Sequence, residues 1–197
     1  MKKGLKKLLV LMLAGMILVG CGVGKTDDIP GIVINDDMSI KSVIVEQFDE
    51  SLYSVSELKN MIDSEVSDYN SSYGMGKVTS QDPEMSDGNV KVVMNFASAS
   101  DFAAFNNQRL EVMTLSDAVS QNMLGVGFVN VKDNQLANVS LIDEPDLYYV
   151  LITDQIGAVT CPGKIAYVSA GVTTESKTKA SISEDMDGLA YIIFMNK

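Results

Sequence analysis

The chain has 197 residues, a net charge of −11 and no histidine. Without imidazole, the Ser-His-Asp and Cys-His nucleophilic arrangements and the usual zinc-hydrolase ligand sets are excluded. An acidic chain has no electrostatic reason to hold DNA or RNA, and with no tryptophan and one arginine, Arg109, sugar-stacking platforms and bidentate phosphate clamps are scarce.

In chain order, the first element is an export signal. Lys2, Lys3, Lys6 and Lys7 form a positive head, an uncharged apolar run follows from Leu8 to Val19, and Leu18-Val19-Gly20-Cys21 closes the stretch. A charged head, a short apolar core and a small-residue exit describe a secretory signal, because a spanning helix needs about twenty apolar residues. The four exit residues resemble the bacterial lipobox. That resemblance implies cleavage after Gly20 and a diacylglyceryl group on the Cys21 sulfur, holding the protein to the outer face of a membrane. Two acyl chains suffice for stable anchoring, whereas one holds only reversibly. Loss of the four signal lysines takes the charge from −11 to −15. So acidic a domain is repelled by anionic headgroups and is expected to stand off the bilayer.

The expected organisation is a signal over 1–20, a lipidated tether over 21–30 and one acidic domain over 31–197. Ile32-Val33-Ile34 and Ile40 to Val45, around Asn35-Asp36-Asp37, predict a hairpin. Ser54 and Glu57 make a capping box, and Leu58, Ile62, Val66, Tyr69 and Tyr73 recur as one stripe of a helix ended by Gly74 and Gly76. Both tyrosines are expected in the core. Strands are expected over Lys77 to Gln81 and Val90 to Phe96, separated by an acidic turn ending in Asp87-Gly88-Asn89. A short helix is expected after Ser100, with Phe102 and Phe105 inward, and another over Leu115 to Gln121, capped near Thr114 or Ser116.

Further strands are expected near Gly127 to Lys132, Leu147 to Thr153, Lys164 to Ser169, Thr178 to Ile182 and Leu189 to Phe194, punctuated by turn residues such as Asp133-Asn134 and Pro162-Gly163. Strands with a few helices interspersed predict an α+β fold: a mostly antiparallel sheet, one clear amphipathic helix and one or two short helices.

Candidate chemistry is sparse. With Cys21 acylated, Cys161 has no partner, and it reads as a small buried hydrophobe. Asp82 to Asn89 and Glu184 to Gly188 gather hard oxygens, but neither matches the twelve-residue calcium loop; acidic hairpin turns explain both. No metal ligand set and no cofactor is expected. Gly20-Cys21-Gly22-Val23-Gly24-Lys25-Thr26 resembles a phosphate-binding loop, but Val19 stands where the first glycine belongs.

The lipobox, together with Pro162-Gly163-Lys164-Ile165-Ala166-Tyr167 and Gly188-Leu189-Ala190-Tyr191-Ile192-Ile193, resembles small uncharacterised lipoproteins of Gram-positive gut bacteria. The resemblance implies anchoring and carries no activity with it. The leading expectation is a non-catalytic binding or interaction module of the cell envelope, with a protein or small-molecule partner. The alternatives are a small-ligand-binding lipoprotein serving a transporter and a carboxylate-dependent hydrolase.

Overall fold

The computed structural model describes residues 29–49, 51 and 54–196. The expected signal, Cys21 and most of the tether lie outside them. The β-branched runs around Asn35 form the expected hairpin of β1 (Gly31–Ile34) and β2 (Ile40–Gln47), with Ile34 opposite Ile40. β2 pairs antiparallel with β5 (Asn89–Phe96), which places Ile40, Ile44, Val92 and Phe96 on one face. Two short strands, β3 (Val78–Ser80) and β4 (Glu84–Ser86), border β5 on its other side. Asp87 and Gly88, at φ 50 and 75, turn the chain between β4 and β5, as a two-residue hairpin loop requires.

Three later strands complete this sheet: β10 (Gly157–Thr160), β12 (Val172–Thr174) and β13 (Lys179–Ile182). The strand order is β12-β13-β10-β1-β2-β5-β3, with β4 also on β5. A second sheet has the order β6-β9-β14-β11-β7-β8. Its strands are β6 (Leu110–Thr114), β7 (Phe128–Asn130), β8 (Leu136–Ala137), β9 (Tyr148–Thr153), β11 (Ile165–Ser169) and β14 (Ala190–Met195).

The fold is therefore α+β, but built on two sheets where the sequence suggests one. The second is antiparallel at every pairing. The first is mixed, because β1 runs parallel to β10, with Gly31 level with Ala158 and Val33 with Thr160.

Helix α1 (Val55–Tyr73) begins at the expected capping box: Glu57 N–H donates to Ser54 Oγ at 3.2 Å and Ser54 N–H donates to Glu57 Oε2 at 3.1 Å. Leu58 and Ile62 are buried and Tyr69 is partly so. Tyr73 departs from expectation at 63% exposed: its ring stacks on Tyr69, while the same turn meets β3 through Asn70, whose Nδ2 donates to Val78 O at 2.8 Å. Helices α2 (Ala99–Asn106) and α3 (Leu115–Ser120) start at Ser98 and Thr114, whose hydroxyls accept from the N–H of Asp101 and Asp117. Two 3-10 turns follow at Val139–Leu141 and Pro145–Leu147.

One apolar cluster joins the sheets: Ile34 and Phe96 of the first pack with Leu58, Ile62 and Phe102 of the helices and with Leu151, Ile192 and Phe194 of the second. The opposite face of the second sheet, with Val150, Ile152 and Ile193, packs on Leu115 and Ala118 of α3 and on Val139. The acidic stretch Glu184 to Gly188, expected as a hairpin turn, instead carries the chain from β13 in one sheet to β14 in the other.

Candidate functional site

β1 and β10 are the only parallel neighbours among the described residues. Their carboxyl ends, Ile34 and Thr160, therefore open side by side: β1 leads into the hairpin loop to β2, and β10 into the segment Cys161-Pro162. An open hollow of about 830 Å³ lies there, between the loop from Asn35 to Ser39, the segment Thr160-Cys161-Pro162 and Thr178 ahead of β13. A crevice beyond the carboxyl ends of adjacent parallel strands is a recurrent ligand position in open sheets that contain them.

The rim is fixed by its own hydrogen bonds. Asn35 Nδ2 donates to Ser39 Oγ at 2.9 Å, and Asp37 Oδ1 accepts from Ser39 N–H at 3.0 Å and from Ser39 Oγ at 2.6 Å. Met38 takes a left-handed φ of 64 to close this turn, donating its N–H to Asn35 O at 2.9 Å. The Ser39 hydroxyl, seconded by the Ser39 N–H, holds the Asp37 carboxyl below the usual carboxylate range. On the far side, Cys161 N–H donates to Thr178 O at 2.8 Å.

The groups that line this hollow are a buried thiol, hydroxyls and exposed carboxylates. Cys161 is 2% exposed, and burial pushes its thiol up to about 12, so sulfur is a neutral part of the core at physiological pH. Hydroxyls come from Ser39, Thr160 and Thr178, and the carboxylates Asp36 and Asp37 are consecutive in one turn rather than opposed across a gap. Such groups offer hydrogen bonds at a surface.

The other residues singled out in the sequence lie elsewhere. Cys21 is outside the described residues. Within the first acidic stretch, Asp82 pairs with Lys59 at 2.7 Å and Glu84 with Lys91 at 2.7 Å. No group of three or more His, Cys, Asp or Glu side chains among the described residues is placed to hold a metal ion. Arg109 Nε is held by Glu111 at 2.7 Å, beside a smaller hollow at β6 where Gln108 Oε1 is buried without a partner.

Sequence reasoning missed the hollow because it missed β10. Ala158-Val159-Thr160 between Gly157 and Pro162 is a short run bounded by breakers, which was the available signal. It also missed Glu46, which continues the inward alternation of Ile40, Ser42 and Ile44 opposite Val90. Glu46 Oε1 is buried without a hydrogen bond, and burial pushes the carboxyl up to about 7. Compared with known proteins, the chain matches no family model, no curated relative and no solved structure.

Proposed function

We propose that this is a membrane-anchored extracytoplasmic lipoprotein, held by a diacylglyceryl group on Cys21, whose domain is a non-catalytic binding or interaction module of the cell envelope. The observation that carries the reading is the direction of β1. The chain enters the first sheet at Gly31 and reaches the hollow at Asn35, so the hollow lies at the far end of β1 from the residues Ile29 and Pro30 that lead into it. On this reading the tether's point of entry does not block the hollow. An export signal and lipobox upstream, together with a hollow furnished with hydroxyls and no activated nucleophile, support recognition over catalysis.

The hollow is open to solvent rather than sealed, which favours a macromolecular contact over the alternative, a small-ligand receptor serving a transporter. Two measurements test the reading. Cys21→Ala should release the processed protein from the membrane fraction; a processed variant that stays in that fraction overturns the anchor. A photo-crosslinker at Thr178 should capture an envelope component that the same group at Asp87, at the opposite end of the sheet, does not; capture from Asp87 alone overturns the assignment of the hollow.

A further inference from the structure

The cations of this acidic protein are distributed unevenly. Lys59 is paired with Asp63 and Asp82, Lys77 with Asp101, Lys91 with Glu84, and Arg109 with Glu111. Lys41, Lys132, Lys164, Lys177 and Lys179 have no ion pair among the described residues. The topology brings all five to the end of the molecule that holds the hollow.

Lys179 is level with Thr160, Thr160 with Val33 and Val33 with Lys41, so these four side chains share the face of the first sheet turned away from the apolar cluster. The two lysines are half-buried. Three strand spacings separate their backbones, about 14 Å. Lys177 and Thr178 precede Lys179, and Ile165 N–H donates to Lys177 O at 2.7 Å, which sets Lys164 beside Lys177. Lys132 follows β7 at the same end, where Val131 N–H donates to Ala166 O at 2.9 Å.

A lysine that forms no ion pair keeps its charge available to an anion from solution. We infer that this row is a binding site for an extended polyanion bearing spaced phosphodiester charges, lying across β13, β10, β1 and β2. Lysine binds phosphate as a point charge, and the Thr160 hydroxyl between Lys41 and Lys179 supplies a hydrogen bond to a phosphate oxygen. Asp36, Asp37, Asp133 and Glu175 stand at the same end, so a compact multiply charged ion would meet repulsion that a chain with separated charges can step between. This rests on the proposed function for its setting: a domain exported and held at the envelope meets envelope polymers.

The test uses the full chain in a neutral detergent, with poly(glycerol phosphate) as the probe and polyglutamate as the carboxylate comparison, followed by calorimetry at about 50 mM and 300 mM salt. Expected is binding at low salt that weakens with salt and falls at least about tenfold in Lys41→Gln/Lys179→Gln. Lys59→Gln/Arg109→Gln removes the same charge elsewhere and should stay within twofold of the parent, with thermal melts confirming that both variants fold. Equal loss in the two double variants, no binding at low salt, or equal affinity for polyglutamate overturns the proposal. So does a self-association of the chain alone, seen by sedimentation, that the lysine variant abolishes, since the acidic turns of a second copy would then be the occupant. Anchoring and crosslinking are read separately, so a failure here leaves them standing.

Discussion

In the second sheet, β9 and β14 bury both faces. Val150 to Thr153 and Ala190 to Phe194 are all buried, lying between the shared cluster on one side and the α3 cluster on the other. In the first sheet, β2 and β5 send Ile40, Val92 and Phe96 into the core, while Lys41, Asn95 and Thr79 share the opposite face. Val33 and Val45 also lie on that face, and Val43 and Val93 are buried there opposite one another yet part of neither cluster. The contrast separates two tasks in one chain. The second sheet is spent on packing and leaves little for recognition; the first keeps a polar face whose loops and lysines are available to a partner.

The sharpest way to break this comparison is to hollow out the second sheet. Phe194→Ala removes a ring with no exposed area from the cluster that joins both sheets, and should cost about 3–5 kcal/mol. Thr160→Ala on the polar face should lie within about 0.5 kcal/mol of the parent. Urea unfolding measures both, and comparable losses would show that the sheets share the load. Next in size is Gly31→Ala, at the seam of the parallel pair. Gly31 has φ 143, and a Cβ there would meet Ala158 O at 2.2 Å, so either the backbone shifts or β1 parts from β10. A positive-φ penalty plus overpacking gives a loss of roughly 2–4 kcal/mol. Hydrogen exchange should show it concentrated at Ala158 to Thr160; a loss spread evenly over both sheets would contradict the seam.

The smallest effect depends on pH. Glu46 has its carboxyl raised from 4.5 to about 7 by burial, with no charged neighbour contributing. The native state therefore holds this proton more tightly than the unfolded chain, and stability is full below about 4.5 and declines as pH rises through about 7. Glu46→Gln should leave stability at pH 4.5 nearly unchanged and raise it at pH 8 by on the order of 1–2 kcal/mol, the full shift being reduced by the solvent that reaches the residue. Equal gains at the two pH values would show that ionisation is not the cause.

Elements set by local chemistry were legible in the sequence. Ser54 and Glu57 marked the start of α1 within one residue, Asp87-Gly88 marked a turn ahead of β5 although β4 lies inside the stretch expected as turn, and the runs at Tyr148 and Ala190 marked strands. What stayed hidden depends on partners distant in the chain. Gly157 to Thr160 is four residues with little alternation, and only β1 and β13 on its flanks make it a strand. The helical stripe pointed Tyr73 inward with the same spacing as Ile62, but periodicity cannot say where the surface beneath a helix ends. The candidate site is legible only in part: Asn35 to Asp37 reads as a turn, and nothing local places Thr160 and Thr178 beside it.

The seat of β1 also bears on the order in which the molecule assembles. Gly31 faces Val43 on one side and Ala158 on the other, so one border of this strand is met a dozen residues later and the other only after most of the chain has been made. A chain emerging amino end first can close the β1–β2 hairpin early, since short loops form fast. The other border of β1 then waits as a bare edge, able to recruit a stray strand, until residue 160 has emerged. Slow emergence prolongs that interval, so the yield of folded protein should depend more on the rate at which residues 43 to 160 appear than on any rate before or after.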